Sequence, residues 1–235
     1  MIQTKLPTNT WVIATWDEFI EMTENHVYQK AKCYYHNERI RIETVPIGPD
    51  HSRDNATILF AINLFCTLKS LAFNSLDNCS YRMVGVRECQ PDISYYIGER
   101  ARLDPNGTAI ANLDTTPPPD LVIEIADSTL ADDIGQKRLL YEEIQVAEYW
   151  VVGVQKAEII AFAIIDNNGS KRIRESLVLS GLSIATLETA LSRSRTEDQA
   201  QVGVGCCSSF HLGRAIGCHF SSKIVRNEIQ YNIVQ

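Results

Sequence analysis

Residues 120–126 read Asp120-Leu121-Val122-Ile123-Glu124-Ile125-Ala126 and are a clear signal for a buried β-strand. The run is almost continuously apolar and of strand length, which is typical of a central strand that is covered on both faces. Three prolines at positions 117–119 stiffen the approach to it, because proline restricts the backbone. The carboxylate of Glu124 is costly to bury in such a strand unless it is paired or binds a metal ion.

Downstream of this run, the sequence pattern predicts a helix followed by further strands. Asp127, Ser128 and Thr129 are residue types that cap helices, and apolar positions at helical spacing follow them. The predicted elements are a helix over 131–144, a strand over 148–152, a hairpin of 158–165 and 171–179, and a small closing element over 182–191.

Upstream, the pattern predicts a hairpin, a long buried helix and two more strands. The second strand of the hairpin alternates charged and β-branched residues, which indicates a half-buried strand. The predicted elements are a short helix over 17–26, a hairpin of 32–35 and 39–45, a helix over 52–73, strands over 80–87 and 92–97, and a long connection over 98–119.

Length and composition indicate a globular protein with one medium-sized domain. The chain has 235 residues, of which 45% are hydrophobic and 22% charged, with a net charge of −7. This charge argues against a basic surface over the whole molecule, although it leaves room for a local cationic groove. No window reaches the roughly 18 apolar residues that a membrane span needs. The first residues lack a signal-peptide pattern and the seven cysteines are an odd number, so we expect free thiols and a cytoplasmic location.

Three residues in separate predicted elements could form one catalytic site. Asp92 begins a predicted strand, Glu124 lies in the next apolar strand, and Lys137 lies on the helix that follows. Two carboxylates from neighbouring strands can share a hard cation such as Mg²⁺, which prefers oxygen ligands. Such a cation can activate water and stabilise a phosphoryl oxygen, and a nearby lysine can offset the developing charge. The order acid, strand, acid, helix, lysine therefore favours phosphodiester hydrolysis.

Each of the three residues also has a structural interpretation. Asp92 follows a proline and could cap a turn or a strand. Glu124 could be a paired core charge, with Lys137 or Arg138 as its partner in a buried salt bridge. Lys137 could be a solvated helix residue, and with Asp133 it forms an ordinary i, i+4 helix pair.

The motifs of this chain resemble those of a known family. The motif residues are the run 119–125, Ser128, Thr129, Asp133, Lys137, Tyr141, the run 146–152, the element Pro91-Asp92-Ile93 and His51. Together they resemble the Uma-type restriction-endonuclease-like family, a group within the PD-(D/E)XK nuclease superfamily. The resemblance covers roughly residues 15 to 190 of the sequence.

The resemblance implies an α/β fold, with a restriction-endonuclease-like core in which helices flank a mixed central β-sheet. It implies Asp92 and Glu124 as ligands of Mg²⁺ or Mn²⁺, Lys137 as a third catalytic residue, and a nuclease that acts on nucleic acid, with DNA favoured. His51, Asp120 and Tyr141 are auxiliary candidates, although Asp120 also fits a strand cap. The resemblance also points to a homodimer.

In the superfamily motif the lysine stands two residues after the second acid, where this chain has Ala126, and the resemblance therefore points to Lys137 on the next helix.

Three features favour an alternative function. The net charge is −7, and the long predicted helix lacks the glutamate that the superfamily often supplies from its first core helix. Gly153 occupies a position where family members commonly carry an acidic residue. The alternative is a nuclease fold without catalytic activity that serves in binding or assembly.

The end of the chain differs in composition from the rest. Residues 192–235 are richer in serine, glycine and glutamine, so we expect the nuclease domain to span 1–191 and the remainder to be an atypical tail outside the core. On this interpretation, a protein that ends near Arg195 should keep its thermal midpoint.

Overall fold

The structure is a computed structural model that describes residues 7–28, 31–44, 47–165 and 169–211. Two mixed six-stranded sheets, flanked by helices, make up the described part of the chain. The strands are β1 (Trp11–Ile13), β2 (Lys32–His36), β3 (Arg39–Glu43), β4 (Phe73–Asp77), β5 (Tyr81–Met83), β6 (Arg87–Cys89), β7 (Ile93–Ile97), β8 (Ala111–Asn112), β9 (Leu121–Ala126), β10 (Glu148–Gly153), β11 (Glu158–Ile165) and β12 (Gly169–Ile173). The helices are α1 (Trp16–Thr23), α2 (Pro49–Leu68), α3 (Leu130–Asp132), α4 (Arg138–Ile144), α5 (Ile184–Arg193) and α6 (Gln199–His211). A 3₁₀ helix spans Gly98–Leu103, and a π-helical turn spans Asp133–Lys137 between α3 and α4.

The core sheet has the strand order β12-β11-β10-β9-β7-β4. Its strand β9 pairs in parallel with β10 and antiparallel with β7, so it lies inside the sheet. All six residues of β9 are buried. The predicted central strand and the α/β fold class are therefore confirmed.

The two faces of β9 meet different parts of the molecule. Leu121, Ile123 and Ile125 pack in the main hydrophobic cluster, together with residues of α2, α5 and α6. Val122 and Ala126 pack in a second cluster with α4 and with residues of the other sheet. Because side chains alternate along a strand, Glu124 faces the second cluster.

The outer sheet has the strand order β1-β3-β2-β6-β5-β8. It contains the predicted hairpin, in which β2 and β3 pair antiparallel from Lys32↔Glu43 to His36↔Arg39. Helix α1 packs on this sheet through Phe19 and Met22. The outer sheet thereby covers the face of the core sheet that carries Glu124, and the functional residues lie between the two.

Several element boundaries differ from the sequence prediction because tertiary pairing overrides local pattern. The long helix ends at Leu68 rather than Phe73, since residues 73–77 form β4 and pair with β7. The predicted strand over 80–87 is a hairpin of β5 and β6. The connection over 98–119 includes the 3₁₀ helix and β8.

The expectation of a tail outside the core is wrong for the described part of that tail. Helix α6 packs against α2 and buries Val202, Cys206 and Phe210 in the main cluster. The ring centroids of Phe65 and Phe210 are 5.2 Å apart. The buried residues recur every four positions, a helical stripe that the surrounding serines and glycines obscure in the sequence. Residues 212–235 lie outside the described residues.

No helix among the described residues is both long and apolar enough to cross a bilayer.

Candidate functional site

An open cleft lies between the outer sheet and the core sheet, with a volume of about 770 Å³. The three principal candidates from the sequence all line it, as does one auxiliary candidate. Those residues are Asp92, Glu124, Lys137 and His51. The tertiary structure therefore brings together residues that are up to 86 positions apart in the sequence.

Asp92 precedes β7 and is held from two sides. Its Oδ2 accepts a hydrogen bond from the backbone amide of Ile125 at 2.7 Å, and its Oδ1 lies 2.5 Å from Lys32 Nζ. His51 Nε2 is 3.8 Å from Oδ2. Burial raises the pKa of Asp92, but Lys32, the Ile125 amide and His51 outweigh this effect and hold it below its ordinary value. Asp92 is therefore a carboxylate at neutral pH.

Glu124 lies deeper and is held by two tyrosine hydroxyls. Tyr141 donates to its Oε1 at 2.8 Å and Tyr34 donates to the same atom at 3.3 Å. Its Oε2 lies 3.7 Å from Lys137 Nζ. Burial raises the pKa of Glu124 to about 8, Lys137 opposes this shift, and the charge of Asp92 adds to it. The two acids are thus close enough to repel each other.

Lys137 is enclosed by three carboxylates. The π-helical turn carries both Asp133 and Lys137, and Asp133 Oδ1 lies 2.9 Å from Lys137 Nζ. Glu43 Oε1 lies 3.0 Å away, and the ring of Tyr34 is 4.3 Å from the ammonium. Burial lowers the pKa of Lys137, but Glu124, Asp133 and Glu43 together raise it above its ordinary value. Lys137 therefore stays a cation, and π-helical turns of this kind often occur at functional sites.

The auxiliary candidates divide into three cases. His51, in the first turn of α2, lines the cleft beside Asp92. Tyr141 does not line the cleft, but its hydroxyl donates a hydrogen bond to Glu124. Asp120 lies directly before β9, at the end of the strand away from Glu124. There it accepts a hydrogen bond from the Ile97 amide at 2.8 Å and pairs with Arg100 at 2.6 Å. The structure therefore does not bring Asp120 to the cleft, and its role is to join β9 to the end of β7.

Sequence reasoning missed Lys32 and Glu43 as cleft residues. Alternation along β3 places Arg41 and Glu43 on the face opposite Ile40 and Ile42. A half-buried strand is expected to expose its charged face to water, yet Arg41 is only 4% exposed and pairs with Asp132 of α3. The alternation was the available signal, but it does not say which surface will cover the charged face.

Acidic side chains outnumber basic ones in the lining of the cleft. The lining includes five acidic residues and three lysine or arginine residues. Asp92 and Glu124 supply oxygen donors of the kind that Mg²⁺ prefers, and Mg²⁺ commonly binds one or two carboxylates and keeps several waters. A cluster of three or more metal-ligating side chains is absent from the described residues. Among the described residues, the cleft therefore offers a cation two candidate carboxylates and no cage of three or more ligands.

Comparisons with known proteins agree with this architecture. A crystal structure described as "a putative nuclease belonging to DUF820 from Anabaena variabilis ATCC 29413" is similar with a TM-score of 0.53 and 19% sequence identity. The similarity covers 75% of this chain and 98% of that chain, and at this identity it shows the fold alone. No curated protein matches the sequence. Residues 16–196 match the Uma2 family, which is described as "Putative restriction endonuclease", and because this match spans more than half of the chain, the protein belongs to that family.

Proposed function

We propose that this protein is a metal-dependent nuclease that hydrolyses phosphodiester bonds of nucleic acid, with DNA as the expected target and Mg²⁺ or Mn²⁺ as the cofactor. The observation that carries the proposal is the convergence of Asp92, Glu124 and Lys137 in one open cleft. The family description and the nuclease-like relative support the same reaction class. A homodimer and a cytoplasmic location remain predictions from the sequence.

In this proposal Asp92 and Glu124 hold the cation. When bound, a divalent ion supplies an activated water at neutral pH and offsets negative charge on the phosphate. The Ile125 amide and the Tyr141 hydroxyl keep the two carboxylates in place, because each donates to one carboxylate oxygen while the other oxygen faces a lysine. Pre-organised ligands of this kind reduce the entropy lost on binding.

Lys137 and His51 act on the substrate side of the proposed site. Lys137 is a permanent cation and stabilises negative charge that develops on the phosphate, which is the usual contribution of a fixed positive charge. It does not accept a proton, since three carboxylates raise its pKa. His51 has one ring nitrogen near Asp92 and sits at the wall of the cleft, within reach of a bound phosphate.

The test is cleavage of plasmid and single-stranded DNA with and without MgCl₂. The variants Asp92→Asn and Glu124→Gln should lose at least about a hundredfold in rate, because each removes charge at the reacting centre. Glu148→Gln is the matched control, because Glu148 is a fully buried acid on neighbouring β10 that does not line the cleft. Wild-type rates in both cleft variants would reject the proposal.

One observation favours the alternative of a nuclease fold that binds or assembles without catalysis. Asp92 and Glu124 each already have an ammonium group nearby, at 2.5 Å and 3.7 Å. Paired in this way, the carboxylates need no metal ion for charge balance. The two functions differ in metal response, since an ion that binds the folded state raises its thermal midpoint. No shift at millimolar Mg²⁺ or Mn²⁺ would favour the alternative.

A further inference from the structure

The two lysines of the cleft are held in very different ways. Lys137 contacts Glu43, Glu124 and Asp133, and only 2% of its side chain is exposed. Lys32 pairs with Asp92, and its side chain is 16% exposed to the cleft. Lys137 is thus fixed by several partners, whereas Lys32 pairs with one carboxylate among the described residues and is partly exposed.

The Lys32 ammonium competes with a cation for Asp92. Asp92 Oδ2 accepts a hydrogen bond from the Ile125 amide at 2.7 Å and lies 3.8 Å from His51 Nε2, whereas Oδ1 faces Lys32. Lys32 Nζ lies 2.5 Å from Oδ1. A divalent ion binds carboxylate oxygens at about 2.0 to 2.6 Å, so an ion on this carboxylate would meet the like charge of the ammonium at close range and repel it.

We propose that the Lys32 ammonium and a divalent ion exchange at Asp92. In the metal-free protein Lys32 neutralises Asp92, and when a divalent ion binds, Lys32 moves away from Asp92 and pairs with a substrate phosphate. The proposal rests on the proposed nuclease function and names a further substrate-contacting residue for it. Lys32 stands at the start of β2, so its long side chain can move within the cleft without a change in the sheet.

The exchange explains why a buried acid and a lysine are paired at a site that otherwise fits a metal ion. Without the ammonium, Asp92 would be a nearly buried charge beside Glu124, which is costly. With the ion bound, the released ammonium is an unpaired charge at the cleft wall, and a phosphate is the partner that the proposed reaction provides. Lys32 therefore weakens metal binding but strengthens substrate binding.

The test compares Lys32→Met with the wild-type full-length protein in two binding measurements. Calorimetric titration with Mg²⁺ alone should give a dissociation constant about tenfold lower for Lys32→Met, because the competing ammonium is gone. With Mg²⁺ saturating, a phosphorothioate DNA oligonucleotide should bind Lys32→Met severalfold more weakly. A purely structural role for Lys32 would not move the two affinities in opposite directions.

Two further variants serve as controls. Lys32→Arg keeps the charge and should stay close to wild type for Mg²⁺, which also guards against a folding defect in Lys32→Met. Lys171→Met removes one exposed positive charge on β12 that does not line the cleft, and it should leave the Mg²⁺ affinity unchanged.

The outcomes separate this inference from the proposed function. If the wild type binds Mg²⁺ and Lys32→Met binds it equally or more weakly, the exchange is wrong while the metal site stands. If the oligonucleotide binds both proteins equally, Lys32 does not contact the phosphate. If neither protein binds Mg²⁺ at millimolar concentration, both the exchange and the metal-dependent nuclease are overturned.

Discussion

Asp92 accepts a hydrogen bond of 2.7 Å from the backbone amide of Ile125, the residue directly after Glu124. This hydrogen bond joins the residue before β7 to the last part of β9, in addition to the ladder that pairs Ile93 with Ile123. The carboxyl group of one candidate ligand is thereby tied to the backbone of the strand that carries the other. The relative position of the two acids is a property of the sheet and not of two independent side chains.

The first prediction concerns the contribution of Asp92 to the stability of the fold. An Asp92→Asn variant keeps an oxygen that can accept the hydrogen bond from the Ile125 amide, whereas Asp92→Ala leaves that buried amide without a hydrogen-bond acceptor. We expect the alanine variant to be less stable than the asparagine variant by about 1–3 kcal/mol, the usual cost of an unpaired buried group. Urea unfolding measures the difference, and equal stabilities would show that the hydrogen bond contributes nothing.

The second prediction concerns the enclosed ammonium of Lys137. Lys137→Met leaves Glu43, Glu124 and Asp133 without their shared cation, and breaking a buried ion pair from one side costs about 3–5 kcal/mol. Lys137→Arg keeps the charge and should lose less. Lys156→Met, at a lysine whose side chain is 76% exposed, is the control and should stay within about 0.5 kcal/mol of wild type. A Lys137→Met protein as stable as wild type would mean that the three acids find other partners.

The third prediction concerns the pH dependence of stability through Glu148. This carboxylate accepts hydrogen bonds from Trp150, Ser176 and two backbone amides, yet burial raises its pKa above the ordinary value of 4.5. The folded state therefore holds a proton that the unfolded chain has already lost, so the contribution of Glu148 to the free energy of unfolding decreases as the pH rises above 4.5.

Urea unfolding of wild type and Glu148→Gln over this pH range isolates the contribution of Glu148. The stability of wild type relative to the variant should fall as the pH rises, because glutamine does not titrate. A difference that stays constant or grows with pH would contradict the raised pKa.

The fourth prediction concerns the packing of α6 on α2. Phe210 is 7% exposed and its ring meets that of Phe65, so Phe210→Ala should lower the free energy of unfolding by about 3 kcal/mol. Val204→Ala is the matched control on the same helix, because Val204 is 69% exposed. A protein that ends near Arg195 should likewise show a lower thermal midpoint than the full chain. An unchanged midpoint would indicate that α6 does not stabilise the domain.

Much of both sheets could be predicted, because several of their strands have strong local signals. The apolar run of β9, the hairpin of β2 and β3 and the strand β10 all appear at the predicted positions. Strand β4 could not be predicted, since Phe73–Asp77 is a strand through its pairing with β7, which no local pattern reveals.

For the candidate site, the sequence alone determined three residues that share a cleft, because a carboxylate inside an apolar strand and an ordered series of acid, acid and lysine are unusual enough to be recognised. Only the tertiary structure decided the rest: that Lys32 and Glu43 join the cleft, that Asp120 does not, and that α6 belongs to the core. The physical reason is that alternation and helical spacing tell which side chains share a face of an element. They do not tell which other surface will pack on that face, and this packing decides whether a charge meets water, an opposite charge or a ligand.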